Sequence, residues 1–372
     1  MSSNSNILYK NFNGADIKVL LIGSPHSDTK CVWASMLNEN SRKKAVEDTD
    51  FSLKIDRNSS ESSIEYLKEV TKSILSYANS PLKESLETGE IFPDKTFSFQ
   101  SPLNFPSYDV SLLLKTKDPN YSLKIKFLYV PSKSLENDKI CEKHVASLFS
   151  ESDVILIPLN AVMFTDDEVL NKIGSSTVKL LTDTVSKGLK NSRSKKKKLL
   201  LFVPSNCERF CDGADNSLSS VISKMEKNLE PLITLSQLNK CDVVVSPMMV
   251  YGNIRFDHLE VSNSPIATNS IGTLYYSYRK NENSEIMNFS PEYCEKPFVA
   301  ILLHAFSQVK NYHDKRNVFR KFGDGFLSLF GKKPKYLPLI DSIPTLENNL
   351  NRDGFSGNYL YNKFSTTKNT KN

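Results

Sequence analysis

One loop near the amino terminus carries residue types that can hold a phosphate. Residues 17–37 read IKVLLIGSPHSDTKCVWASML, an apolar strand that breaks into a polar loop before an apolar-periodic segment. A phosphate-binding loop uses glycine where the backbone curls, lysine against the phosphate charge and a hydroxyl group on magnesium. The candidate phosphate-binding residues here are Gly23, Ser27, Thr29, Lys30 and Cys31.

The spacing of these residues departs from the pattern GxxxxGK[ST]. Counted from Gly23, the second glycine position holds Asp28, the lysine position Thr29 and the hydroxyl position Lys30. A shift by one residue puts Lys30 on the lysine position and Cys31 on the hydroxyl position, but it lengthens the loop. An aspartate in the cradle repels a polyphosphate, and a β-carbon at the second glycine obstructs the backbone. Neither register is competent as written.

The elements that must position this loop are short apolar strands alternating with longer helical patterns. The predicted strands are 18–22, 123–130, 154–159, 199–203 and 243–246, with an edge strand at 274–278. The predicted helices are 31–38, 63–78, 140–149, 167–190, 218–237 and 297–312. Strands rich in Val, Ile and Leu are typical of a parallel sheet buried on both faces. The pattern predicts an α/β fold with a doubly wound, mainly parallel sheet.

Four further segments, together with the loop, resemble a known family. SLKIKFLYV followed by PSKS is similar to the strand that carries a DxxG motif, and ASLFSESDVILIPLNA to the helix and strand that follow it. KKLLLFVPSNCERF resembles the strand that carries [NT]KxD, and DVVVSPMMVYGN the strand that ends in the serine of the last guanine loop. Residues 16–312 thus resemble a TRAFAC-type GTPase, closest to bacterial double-GTPase family proteins. The resemblance implies a P-loop NTPase-like fold and, for a working member, GTP with Mg²⁺.

The resemblance also implies candidate residues for binding the guanine base, and it shows which motif residues of the family this chain lacks. Asn206 stands where the family has lysine, Glu208 where it has aspartate, and Ser246 is retained. Residues 130–133, Val-Pro-Ser-Lys, lack the aspartate and glycine of DxxG, and Thr96 is the one candidate for a switch threonine. Phosphoryl transfer depends on positioning and electrostatics, so these losses should abolish useful hydrolysis. The chain is therefore expected not to be an enzyme, with GTP hydrolase as the alternative.

A basic aromatic arm follows the predicted domain. Between residues 311 and 336 there are seven basic and two acidic residues. On a helix the aromatic residues form an apolar stripe flanked by cations, which is typical of a segment that docks on a membrane surface or a partner, or that packs back on its own domain. The candidate residues are Phe319, Phe322, Phe326, Phe330, Arg320 and Lys321.

The predicted organisation is a GTPase-like domain over 1–312 with an insertion at 39–120, the arm over 313–347 and a disordered tail over 348–372. The chain has 372 residues, of which 39% are hydrophobic and 24% charged. Its apolar runs are far shorter than the roughly 20 residues of a membrane span, and it shows no secretory signal pattern. A cytoplasmic location is expected, with peripheral membrane contact through the arm as an option.

Cysteine spacing and charge distribution argue against a metal site and against a nucleic-acid partner. Six cysteines have neither disulfide-framework density nor zinc-ligand spacing, so no metal site is expected. The net charge of +6 is concentrated in the arm and accompanies no nucleic-acid motif, so no nucleic-acid partner is expected.

The sequence favours a non-catalytic pseudo-GTPase that acts as a protein-binding adaptor or regulatory subunit without a cofactor. A catalytic GTPase is one candidate partner. The first alternative is a divergent GTP-binding protein with weak GTPase activity, using Lys30 on phosphate and Glu208 and Ser246 on guanine. The second is a membrane-surface scaffold that binds through the arm. The third is an unrelated α/β domain whose Gly-Ser-Pro turn merely ends a strand.

Overall fold

A computed structural model describes most of the predicted domain and part of the carboxyl-terminal segment. The described residues are 16–23, 27, 29–56, 59, 61, 64–65, 68–69, 71–72, 86–87, 110–116, 122–130, 139–191, 197–211, 218–262, 271–278, 280, 283, 289–314, 337–351 and 359–361.

The strands form two sheets. In chain order they are β1 Asp16–Ile22, β2 Phe51–Ile55, β3 Leu86–Glu87, β4 Val110–Thr116, β5 Ser122–Val130, β6 Val154–Asn160, β7 Leu199–Ser205, β8 Asp242–Val245, β9 Ile254–Ser262, β10 Ile271–Tyr278 and β11 Tyr359–Tyr361. The main sheet has the order β11-β8-β7-β6-β1-β5-β4-β2. The five central strands of this sheet, β8, β7, β6, β1 and β5, are parallel to one another. Strands β2, β4 and β11 are antiparallel to their neighbours. The predicted α/β class with a mainly parallel sheet is confirmed.

Apolar content explains why the central strands lie where they do. Every residue of β6, β7 and β8 is buried, as expected for strands covered on both faces. All five predicted core strands agree with the observed bounds to within two residues.

Helices cover the sheet. They are α1 Thr29–Leu37, α2 Glu39–Ala45, α3 Lys139–Glu151, α4 Val162–Thr165, α5 Asp167–Val169, α6 Ser175–Asn191, α7 Leu218–Asn228, α8 Glu230–Leu238, α9 Lys296–Asp314, α10 Leu337–Asp341 and α11 Ile343–Asn351. A π-helical turn, Leu170–Gly174, joins α5 to α6. Helix α6 packs against α3 and α8, whereas α9 packs against α2, α10 and α11. Because crossovers between parallel strands are almost always right-handed, the strand order predicts that these two groups cover opposite faces of the sheet.

The segment 39–120, predicted to be an insertion, contributes β2 and β4 to the main sheet. The predicted helix 63–78 lies largely outside the described residues. The segment 348–372, for which the sequence predicts disorder, contributes the end of α11 and strand β11. Leu346 and Leu350 explain the position of α11, because both side chains are buried.

A second, three-stranded antiparallel sheet has the order β3-β10-β9. Strand β10 contains the predicted edge strand 274–278, and β9 and β10 follow β8 in the chain, whereas β3 precedes it. Helix α9 returns from this second sheet to the main sheet. Among the described residues, no helix has the length and apolar character needed to cross a bilayer.

Candidate functional site

The candidate residues gather at the carboxyl edge of the main sheet. Gly23 follows β1, Asn206 follows β7 and Ser246 follows β8. Because these strands are parallel and adjacent or next-adjacent, their carboxyl ends share one edge. In open α/β sheets this edge is where ligands bind, at the point where the winding direction reverses. Here the reversal lies between β1 and β6, since the chain continues from β1 to the β5 side of the sheet and from β6 to the β7 side.

The loop after β1 is held by contacts within the chain. The Gly23 N–H donates to the Val130 carbonyl at 2.8 Å. The hydroxyl groups of Ser27 and Thr29 share a hydrogen bond of 2.6 Å, and both side chains are buried. The Ser205 hydroxyl, at the end of β7, lies 3.3 Å from the Ser27 carbonyl and 3.1 Å from the Leu159 carbonyl, so its one hydrogen is shared between two acceptors. The loop is therefore fastened to β7, while residues 24–26 and 28 lie outside the described part of the chain.

Helix α1 begins at Thr29 and is buried along almost all of its length. Lys30 is its one partly exposed residue, and Cys31 is fully buried. The Trp33 indole stacks on the Tyr129 ring with centroids 6.2 Å apart. Of the two candidates on α1 that follow Thr29, Lys30 is therefore a partly exposed cation and Cys31 a buried thiol.

A tyrosine from the second sheet reaches the carboxyl edge. The Asn160 side-chain amide, at the end of β6, donates to the Tyr276 hydroxyl oxygen at 2.6 Å. The Asn206 side-chain amide, just after β7, donates to the same oxygen at 3.3 Å. Both asparagines and Tyr276 are buried. Two donors from neighbouring strands thus converge on one phenol oxygen.

The orientation of the Asn160 amide is determined by its other contact. Its Oδ1 atom accepts from the Val162 backbone N–H at 3.1 Å. A backbone N–H can only donate, so the Nδ2 group must be the one that faces Tyr276. Asn206 has a positive φ of 57°, a left-handed conformation that asparagine tolerates better than most residues.

Glu208 is fully buried and accepts hydrogen bonds from the backbone. Its Oε1 atom accepts from the N–H groups of Tyr251 at 2.9 Å and Gly252 at 3.0 Å. Two backbone donors compensate part of the cost of a buried carboxylate. Glu208 also affects the nearby thiol of Cys294. The pKa of this thiol is raised well above its usual value, mainly by burial and then by the Glu295 and Glu208 carboxylates.

Gly252 allows this contact with Glu208. It has a φ of +75°, and a β-carbon there would lie 1.9 Å from the Ser290 carbonyl oxygen. The backbone also pairs around this point, because the Ser290 N–H donates to the Tyr251 carbonyl at 3.0 Å. Only glycine fits this close approach of two backbone segments.

Ser246 has a different environment. Its backbone N–H donates to the Phe202 carbonyl at 2.8 Å. Its hydroxyl is fully buried and has no hydrogen-bond partner within the described parts of the chain. A buried hydroxyl without a partner is costly, which marks this position as one where a ligand could bind.

Other predicted positions cannot be placed. The arm residues Phe319, Phe322, Phe326, Phe330, Arg320 and Lys321 lie outside the described residues, as do Thr96 and residues 131–133. Within the described ranges, no group of three or more His, Cys, Asp or Glu side chains is arranged to hold a metal ion.

Comparison with known proteins identifies no family: no protein-family model matches the chain, and no curated protein matches its sequence.

Sequence reasoning missed Asn160, Ser205 and Tyr276. Asn160 and Ser205 had a usable signal, because each is a polar residue that follows an apolar strand run. Tyr276 had none, because it lies 116 residues after Asn160 and belongs to another sheet.

Proposed function

We propose that the chain is a GTPase-like protein of the TRAFAC type that does not hydrolyse GTP and works by binding another protein. One observation carries this proposal: two of the three residues in the base-reading positions, Asn206 and Glu208, are engaged by the chain itself. Asn206 donates to Tyr276, and Glu208 accepts from the backbone of residues 251 and 252. A carboxylate oxygen that already accepts two backbone hydrogen bonds is poorly placed to receive further donors from a base.

The fold supports the same proposal. The mixed sheet is compatible with a P-loop NTPase-like fold, with β1 central and the candidate loop at the reversal of winding. The loop lacks the glycine and lysine spacing of a working phosphate site, and its Ser27 and Thr29 hydroxyls bond each other. A retained scaffold with altered catalytic positions is suited to protein recognition.

Nucleotide binding is the first test. Calorimetry and thermal unfolding of the purified protein should be run with GTP, GDP and ATP, each with and without Mg²⁺. We expect no binding heat and no thermal shift. Micromolar, Mg²⁺-dependent GTP binding that is lost in Lys30→Ala would contradict the proposal, because Lys30 would then be a working phosphate ligand.

The protein-binding part needs a separate test. The chain, purified at native abundance from its own cells, should elute with a second protein in stoichiometric amount. A catalytic GTPase is the partner class we favour, from the resemblance to double-GTPase proteins. Elution at the mass of the chain alone would contradict this part of the proposal.

A second candidate function is divergent GTP binding, which the buried Ser246 hydroxyl favours. Under this alternative Lys30 binds phosphate, Ser246 contacts the base, and Mg²⁺ accompanies the nucleotide. GTP binding weakened at least tenfold by both Lys30→Ala and Ser246→Ala would support it.

A further inference from the structure

We propose that the β9–β10 hairpin is a built-in occupant of the carboxyl edge, with the Tyr276 phenol oxygen in the place of a ligand's acceptor oxygen. This inference rests on the proposed function, because it explains why a GTPase-like edge would not take a ligand. It assigns the occupied position to a segment of the chain itself.

The first support is the convergence of donors. Asn160 and Asn206 come from the ends of two adjacent parallel strands, and their amides meet at one oxygen, 2.6 and 3.3 Å away. A phenol oxygen can accept two hydrogen bonds while its own O–H donates elsewhere. The arrangement of donors is that of a binding site for an acceptor oxygen, and Tyr276 supplies it.

The second support is the irregular pairing that directs Tyr276 inward. Tyr276 pairs with Phe256, and the preceding residue Tyr275 pairs with His258, so Asp257 is an extra residue on β9. Such a bulge changes the direction of side chains. Tyr276 is buried in edge contact with Phe256, whereas Tyr275 stacks on the exposed His258 ring with centroids 4.8 Å apart.

The third support is the attachment of the hairpin at its base. Glu208 accepts from the backbone of residues 251 and 252, immediately before β9. The backbone groups of Met249 and Glu292 exchange two hydrogen bonds of 3.0 Å. Asn206 and Glu208, two residues apart in one motif, therefore both hold the inserted unit near its base, at Tyr276 and at residues 251 and 252.

The donors also define what could replace the phenol. The Asn160 amide is fixed as a donor by its bond to the Val162 N–H. A planar ring with a carbonyl or hydroxyl oxygen would satisfy it, whereas a ring with an amino group there would place donor against donor. The vacated position should thus prefer an oxo-substituted ring to an amino-substituted one, and inosine and adenosine differ in this way.

The test is to remove the occupant and to offer both nucleosides. Tyr276→Ala should bind inosine at least tenfold more tightly than the wild-type protein does, and at least tenfold more tightly than it binds adenosine, by calorimetry. Tyr275→Ala is the matched control, because it removes a neighbouring tyrosine from the opposite face of the same strand. The control should behave as the wild-type protein.

Several outcomes would overturn the inference. A folded Tyr276→Ala that binds neither nucleoside overturns it and leaves the proposed function intact. If the wild-type protein binds inosine or GTP as tightly as Tyr276→Ala binds inosine, both the inference and the proposed function are overturned. If Tyr276→Ala does not fold, Tyr276→Phe replaces it, because phenylalanine keeps the ring but leaves the two amides without their acceptor oxygen. Tyr276→Phe should unfold at a lower temperature than the wild-type protein and than Tyr275→Phe, and an unfolding temperature equal to that of the wild type would overturn the inference.

Discussion

The Nδ1 atom of His304 lies 3.0 Å from the Oδ2 atom of Asp242, and both side chains are buried. Asp242 begins β8, so this pair lies at the amino edge of the sheet, opposite the candidate site. Lys197 also contacts the carboxylate, through Oδ1. The contact between His304 and Asp242 joins α9 to the main sheet, so this pair has a structural role.

Replacing Asp242 should destabilise the fold without changing ligand binding. We expect Asp242→Asn to lower the free energy of unfolding by about 2 to 4 kcal/mol, because it leaves Lys197 and His304 without their carboxylate. Urea denaturation measures this loss. The control Asp257→Asn, on the exposed face of β9, should change stability by less than about 0.5 kcal/mol. Equal effects of the two variants would show that the buried contact contributes nothing.

Glu208 should contribute to stability through the backbone of residues 251 and 252. Glu208→Ala leaves two buried N–H groups without their acceptor, so we expect a loss of about 2 to 4 kcal/mol. Glu208→Gln keeps a carbonyl acceptor and should lose less. Glu230→Ala, at an exposed position of α8, is the control. If Glu208→Ala is as stable as the control, the hydrogen bonds to residues 251 and 252 do not hold the hairpin.

Gly252 should tolerate no side chain. Gly252→Ala should destabilise the protein by at least about 2 kcal/mol, because the new β-carbon meets the Ser290 carbonyl and the backbone is left-handed. Thermal unfolding and yield of folded protein are the measurements. Asp48→Gly, at an exposed site with a φ of 58°, should change stability by less than about 1 kcal/mol. A stable Gly252→Ala protein would contradict the close backbone approach.

The buried thiol of Cys241 should make the folded protein less stable at alkaline pH. Burial, the largest cause, raises the pKa of its thiol from 9.0 to about 11. The unfolded chain therefore ionises this thiol first, so its contribution is complete below pH 9 and is lost as pH rises toward 11. We expect about 2 kcal/mol less stabilisation at pH 11 than at pH 8.

The measurement for Cys241 is the difference in unfolding free energy between wild type and Cys241→Ala across this range. Lysines and tyrosines titrate in both proteins, and the subtraction removes their effect. A difference that stays constant from pH 8 to pH 11 would contradict the prediction.

Local sequence was sufficient for the core strands. Strands β1, β6, β7 and β8 are mostly apolar runs between turn residues, and β5 alternates apolar residues with lysine in its first half, so hydrophobic burial determines them without knowledge of their partners. The family resemblance predicts one site for Gly23, Asn206 and Ser246, and the parallel strands bring all three to one edge of the sheet.

The flanking elements were less predictable. Strands β2 and β4 were missed because they lie in a long segment with weak local signals and gain their stability by pairing with β5 and with each other. Short helices such as α2 and α11 were missed for a similar reason, since they are stabilised by packing on α9.

The sequence by itself determined the α/β class, the core strands and the polar residues at their carboxyl ends, because apolar runs and the turns that end them are local properties. Only the tertiary structure decided what those polar residues hold. Tyr276 meets Asn160 and Asn206 through a bulged hairpin from another sheet, and Glu208 accepts from a backbone 43 residues further along the chain. Such contacts depend on how distant segments meet in space, and no local pattern of residues encodes that meeting.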